Sequence, residues 1–185
     1  YYFVAKKCLL RASAIHFTSI DEEEKVKTFL ALKVKSIVIP NGINLDEFKI
    51  ETSPIQNYTW LQKPYILFLG RINHKKGLDI LYKAFAEIAK QNPTVKLVIV
   101  GPDSDNYTLV LDKLAEELHI TNHLIYAGQL EGEVKIMAYK NALCFALTSY
   151  SENFGMSVVE ALACGCPVVI SDKVGIFPEI NNNNA

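Results

Sequence analysis

The sequence predicts an α/β protein built on a Rossmann-like parallel sheet with helices on both faces. Three observations carry that expectation. Five short apolar runs lie at 65–69, 96–100, 124–127, 143–147 and 167–171, and the segments between them carry apolar residues at helical spacing. Those segments are too long for hairpins and long enough for the crossovers that parallel strands require. Turn-forming residues, most of them glycines, follow the ends of the first four runs, as expected where strands open onto a common rim.

Composition narrows the class. Half of the 185 residues are hydrophobic and the formal net charge is −1, a soluble globular balance without the cationic excess that nucleic acid demands. No apolar run approaches the roughly 20 residues needed to span a bilayer. The opening YYFVAKKCLLRAS reads as an amphipathic helix that starts abruptly, and with the closing NNNNA it gives the expectation of a fragment cut at both ends. Of the four cysteines only Cys164 and Cys166 are close, and they read as small residues at a helix-to-strand corner. Zinc would need two more ligands at workable spacing, and the four histidines are scattered. No metal is therefore expected, and a reducing, cytoplasmic compartment fits.

In chain order, residues 1–12 are predicted helical and Ala14–Thr18 a short buried strand, with His16 at its core edge. Ser19-Ile-Asp-Glu22 is a capping-box pattern opening a charged helix to about Lys33. Ser36–Pro40 is a second buried strand, stopped by Pro40-Asn41-Gly42, and NLDEF follows as a single helical turn. From 49 to 63 periodicity is lost, so three parts are expected: 1–48, a linker at 49–63, and a domain at 64–185. In that domain helices are predicted at about 77–91, 105–119, 132–140 and 156–164. The first of them turns Leu78, Leu81, Phe85, Ile88 and Ala89 to one face.

Ligands of open parallel sheets bind beyond the carboxyl ends of the strands. Gly70-Arg71, Gly101-Pro102-Asp103, Gly128-Gln129 and the Ser149–Gly155 loop all fall at such exits. Arg71 and Lys76, in GRINHKKG, are two cations at that rim and suit a diphosphate, the guanidinium as a fork and the ammonium as a point charge. No Gly-Lys-Ser/Thr follows, and the G-x-G-x-x-G spacing is missing, so neither a P-loop nor a dinucleotide fingerprint is present. In TSYSENFGMSVVEALACGCPVVISD, Gly155 opens a helix whose N–H groups suit phosphate. Glu152 in the loop and Glu160 in the helix suit hydroxyls. Phosphate beside hydroxyls describes a nucleotide-sugar. The plainer alternatives are a solvated loop acid, a helix acid without a role, and cations paired with Asp79 or solvent.

The run from VIPNGINLDEF through ILFLGR…KKGLDIL, KLVIVG and ENFGMSVVEALACGCPVVISD to PEI resembles the retaining glycosyltransferases of the glycosyl transferase group 1 family. The resemblance covers about residues 36–180 and implies the C-terminal, donor-binding half of a two-domain GT-B fold. Residues 1–48 would then be the tail of the N-terminal, acceptor-side domain. It implies that Arg71 and Lys76 hold the donor diphosphate and stabilise the leaving nucleotide, with Gly70 at the same turn. It further implies that Glu152 meets sugar hydroxyls at the reacting face and that Glu160 bonds the nucleotide ribose. Asn153, Phe154, Gly155, Met156 and Ser157 would supply backbone donors, and Gly128, Gln129 and Leu130 would lie against the base. The implied reaction keeps the anomeric configuration and moves a hexose from a nucleotide-diphosphate sugar to a glycan or lipid acceptor. That acceptor, and any peripheral membrane contact, would belong to the missing N-terminal part, so the fragment alone is expected to bind donor and transfer nothing. Gly175-Ile176-Phe177 departs from the two glycines many relatives carry before Pro-Glu. Two other readings compete: a non-catalytic nucleotide-binding or assembly module, and a sugar phosphorylase with a pyridoxal-anchoring lysine.

Overall fold

The computed structural model describes residues 2–31, 34–49 and 58–182, with side chains from Lys6 onward. By contact the chain divides into two units. The first comprises Tyr1–Gly42, Glu152–Gly155 and Asp172–Ala185, and the second Ile43–Ser151 and Met156–Ser171. The break thus falls at Gly42, not at 48, and two segments of the expected 64–185 domain group with the N-terminal residues. Of the expected linker, 50–57 lie outside the described residues. Its remainder holds a 3-10 turn at Thr59–Gln62, with Leu61 buried and the Trp60 ring edge-on to Tyr65 at 5.4 Å.

The second unit carries the sheet. Strands β3 (Tyr65–Leu69), β4 (Lys96–Val100), β5 (Leu124–Gly128), β6 (Cys144–Leu147) and β7 (Val168–Ile170) run parallel in the order β5-β4-β3-β6-β7. Helices α3 (Leu78–Gln91) and α4 (Thr108–Glu117) pack on each other, as do α5 (Gly132–Lys140) and α6 (Met156–Ala163). That pairing suits helices divided between two faces of a parallel sheet. The three central strands are covered on both sides. Leu67, Phe68, Leu97, Val98, Ile99, Phe145 and Leu147 have no exposed surface, each burial being worth about 1.5–3 kcal/mol. The flanking strands are barer: Tyr126 and Val169 are exposed.

On α3 the expected face is buried at Leu78, Leu81, Phe85 and Ala89 but extends to Tyr82 and leaves Ile88 partly exposed. The Tyr82 phenol explains the extension, because it meets the Tyr126 hydroxyl at 2.8 Å, which in turn donates to Asp112 at 3.0 Å. This chain of hydroxyls ties α3, β5 and α4 together and satisfies a buried polar atom that an aliphatic face would lack. Tyr65 does the same between β3 and α5, donating to the Ala138 carbonyl at 2.8 Å. The single turn expected at NLDEF is a 3-10 helix, Leu45–Phe48, and it packs on α6 with Phe48 buried.

The first unit is smaller. Its helices are α1 (Tyr2–Leu10) and α2 (Ile20–Leu30), and its strands β1 (Ile15–Phe17) and β2 (Ser36–Val38) pair in parallel. α2 stops at a left-handed Ala31, short of Lys33, which lies outside the described residues. Ser19 caps α2 by accepting from the Glu22 amide at 3.1 Å, while the Glu22 carboxylate accepts from the Thr18 amide and hydroxyl, both at 2.8 Å. The capping box therefore closes one residue earlier than the usual pattern. The two strands are only partly buried: Phe17 is in the core, but Ile37 and Ile39 are 52% exposed and His16 is exposed, bonding the Ile39 carbonyl. Two strands have too little sheet to be covered on both faces. A short helix that the sequence reading missed, α7 (Phe177–Asn182), also belongs to this unit.

Candidate functional site

In the order β5-β4-β3-β6-β7, successive strands are added in one direction from β3 to β5 and in the other from β6 to β7, and that switch point between β3 and β6 is where open α/β sheets bind ligands. The residues leaving both strands are joined there. Beyond β3 the chain turns through a 3-10 helix, His74–Lys76, to Gly77, which takes φ +63°. A Cβ on Gly77 would stand 2.0 Å from the Thr148 carbonyl oxygen, so no side chain fits. Thr148 donates its hydroxyl to the Gly77 carbonyl at 2.7 Å, and the Tyr150 amide donates to the Lys75 carbonyl at 2.9 Å. His74 stacks on Tyr150 at 5.0 Å, and the Tyr150 phenol donates to Asp79 at 2.7 Å. That hydrogen bond, then burial, raises the Tyr150 phenol above its ordinary pKa.

Arg71 and Lys76 thus sit on one clamped loop, and the Lys76 methylenes lie over Gly70. Arg71 is exposed and Lys76 half-buried. Asp79, a candidate partner for the cations, spends one oxygen on Tyr150 instead. The β4 exit is pinned beside this loop, with the Ile72 amide donating to the Pro102 carbonyl at 2.9 Å. Asp103 there caps α4, accepting from the Tyr107 and Thr108 amides and the Thr108 hydroxyl. The Thr108 hydroxyl is the main reason its carboxyl lies below the ordinary range. At the β5 exit Gly128 and Gln129 are exposed and Leu130 is buried, and Gln129 donates to Glu131 at 2.8 Å.

Glu160 is not an isolated acid on a bare helix. One carboxylate oxygen accepts from Lys135 Nζ at 2.9 Å and the other from the Tyr139 hydroxyl at 3.0 Å. Both donors come from α5, four residues apart and so on one face. Tyr139 has no exposed surface, and its ring stands edge-on to Phe145 of β6 at 5.6 Å. Burial first, then the Glu160 carboxylate, hold its phenol protonated far above the ordinary range. Met156 and Ser157, in the first turn of α6, are half-buried.

The remaining predicted residues, Glu152–Gly155, group with the first unit and are fixed there by backbone. Glu152 forms a parallel bridge with Val174; its amide donates to the Lys173 carbonyl at 3.1 Å and its carbonyl accepts from the Gly175 amide at 2.9 Å. Asn153 accepts from the Ser19 hydroxyl at 3.1 Å and donates to Glu22 at 3.3 Å. Phe154 and Gly155 are buried. A Cβ on Gly175 would stand 1.9 Å from the Asn153 carbonyl oxygen, which explains why this position has no side chain. Cys164 and Cys166 carry free thiols at the corner between α6 and β7, as expected.

Sequence reasoning missed Lys135, Tyr139, His74 and Tyr150. A lysine and a tyrosine at i and i+4 before the β6 run were a usable signal for the first pair. Nothing local marked the stacked pair, which comes from two loops 76 residues apart.

Known proteins match this chain in sequence and in fold. The model of the glycosyl transferases group 1 family matches residues 51–185. An alpha-monoglucosyldiacylglycerol synthase of Streptococcus pneumoniae is 29% identical over 202 aligned residues, covering 98% of this chain and 44% of that protein. A phosphatidyl-myo-inositol mannosyltransferase of Mycobacterium tuberculosis is 34% identical over 149 residues, covering 77% of this chain and 36% of its own length. Among solved structures, sucrose-phosphate synthase from Thermosynechococcus elongatus superposes with a TM-score of 0.80 at 26% identity, over 97% of this chain and 45% of that one. The HepE protein of Anabaena, solved with UDP and glucose, gives 0.80 at 24% identity, over 96% and 49%. The chain spans less than half the length of these proteins.

Proposed function

The chain belongs to the glycosyl transferases group 1 family and has the fold of GT-B glycosyltransferases, and from that premise we propose that it carries the donor-binding part of a retaining enzyme. The donor is a nucleotide-diphosphate sugar, the transferred group a hexose, and the acceptor a glycan or lipid bound by a part of the protein beyond this chain. One observation carries the reading: two cations stand on a loop locked to the β6 exit at the switch point of the sheet.

Arg71 grips the diphosphate as a fork and Lys76 as a point charge, each charge-assisted bond contributing about 1.5–3 kcal/mol. The negative charge on the diphosphate grows as the glycosidic bond breaks, so the same contacts strengthen toward the transition state. The clamp matters because a cation fixed before reaction costs no reorganisation during it. With two side-chain charges facing the diphosphate, neutralisation needs no metal. Glu160 takes the ribose hydroxyls, Glu152 the sugar hydroxyls near the anomeric carbon, and the backbone of 153–157 the sugar and phosphate oxygens. Gly128, Gln129 and Leu130 lie against the base. The departing phosphate assists the acceptor hydroxyl on the face it leaves, which preserves configuration.

The names of the two curated relatives, one a glucosyldiacylglycerol synthase and one a phosphatidyl-inositol mannosyltransferase, favour a lipid acceptor. Among the described residues no helix is long and apolar enough to cross a membrane, and the proposed membrane contact is a peripheral one through the part beyond this chain. Free cysteines suit a reducing, cytoplasmic setting. A thermal-shift screen with UDP-, GDP- and ADP-sugars in the presence of a chelator tests the proposal. Stabilisation by one nucleotide class is expected, and no shift with any of them would overturn it.

A further inference from the structure

We propose that Tyr139 and Lys135 are positioning residues for Glu160, holding its carboxylate so that it recognises the vicinal diol of a nucleotide ribose. The inference rests on the reading of Glu160 as the ribose contact and adds how that contact is set. Each Glu160 oxygen receives one donor: Lys135 Nζ at 2.9 Å on one, the Tyr139 hydroxyl at 3.0 Å on the other. A carboxylate oxygen has two acceptor sites, so one site remains on each oxygen. Two acceptors on one rigid plane match two neighbouring hydroxyls, each donating one hydrogen.

The two donors differ in stiffness. Tyr139 is wholly buried, with its ring edge-on to Phe145, so its hydroxyl is a fixed point that can only donate to the carboxylate. Lys135 is on the same helix face but 27% exposed, with a flexible stem. Glu160 itself is only 18% exposed and has few other ways to be solvated. Loss of the tyrosine hydroxyl leaves the carboxylate tethered at one oxygen, free to follow the lysine and lose its alignment to the diol. The ring packing would survive that change.

The test compares UDP, GDP and ADP with their 2′,3′-dideoxy counterparts on the 185-residue chain, by calorimetric titration of whichever base binds. Wild type should prefer the ribonucleotide by about tenfold or more, and Tyr139→Phe should cut that preference by at least about threefold with the dideoxy affinity unchanged. Lys135→Met should reduce it in the same sense, and Lys135→Arg should restore it. A merely structural role would weaken both ligands equally, and that outcome, or an unchanged ratio in both variants, overturns the inference while leaving the donor-site reading intact. Ribonucleotide and dideoxynucleotide bound equally by wild type would remove the ribose role of Glu160 and this inference with it. No nucleotide binding at all would remove the proposed function itself. If Tyr139→Phe does not fold, the Lys135 variants, at a partly exposed position, decide on the same ratio.

Discussion

The chain contains two parallel sheets made by the same β-α-β logic, and they have different fates. In the second unit, runs such as YILFL and KLVIV are buried because helices cover both faces. In the first, SIVIP is also mostly apolar but leaves Ile37 and Ile39 half exposed, because the sheet has two strands among the described residues. An apolar run therefore predicts a strand, while its burial depends on how many layers the topology supplies. The difference also separates the candidate site residues: the clamped switch point with two cations lies in one unit, and the backbone-fixed loop carrying Glu152 in the other.

Core substitutions should expose the contrast most strongly. Phe85→Ala, at a fully buried site of α3, should cost about 3–5 kcal/mol in urea unfolding. Ile37→Ala, at a half-exposed site of β2, should cost less than about 1 kcal/mol. Comparable losses would show that the two-stranded sheet is covered after all. Next in size comes Gly77→Ala at the switch point. It meets both a positive φ and the Thr148 carbonyl, and should lower stability by about 2–4 kcal/mol. A neutral effect would mean that the β3 and β6 exits are not locked together.

Alkaline pH sharpens the comparison further. Tyr65, Tyr82 and Tyr139 all lie in the second unit, and burial raises each above the ordinary 10.0. Above pH 10 the unfolded chain loses these protons while the folded one keeps them, so stability is fully present below pH 10 and falls as pH rises. With three protons the slope reaches about 4 kcal/mol per pH unit. Fluorescence-monitored unfolding should show this loss, and Tyr139→Phe should make it shallower. A flat profile to pH 11 would count against burial of the phenols. The smallest effects lie at the acid end. The Lys27 bond lowers the Glu23 pKa in the first unit, and the Thr108 bond lowers that of Asp103 in the second. Their contributions are present above the ordinary carboxyl range and are lost as pH falls through the lowered values. Glu23→Gln and Asp103→Asn should each soften the acid limb by a small shift in melting temperature.

Much of this architecture was readable from the sequence. The strands of the large sheet are signalled by uninterrupted apolar runs, and α3 by its periodicity. Gly77 was readable as the start of the 77–91 helix, but its contact with Thr148 was not, since that depends on which strands become neighbours. Ile88 looked like a core residue because a helical stripe is wide, and Tyr82 was not read as one because its partners, Tyr126 and Asp112, lie far along the chain. FPEINN shows no period over six residues, so α7 was silent. Glu160 was legible as an odd acid on a small-residue helix. Its holders lie 21 and 25 residues earlier, and only the packing of α5 on α6 brings them to it.

The central claim is that the clamped loop after β3 exists to hold a diphosphate. Titration of wild type and Arg71→Ala with a nucleoside, the matching nucleoside diphosphate and the nucleotide-sugar tests it most directly. The account predicts a loss of about ten- to a hundredfold for the two diphosphate ligands, with nucleoside affinity unchanged. Equal affinity of the variant and wild type for all three would contradict it.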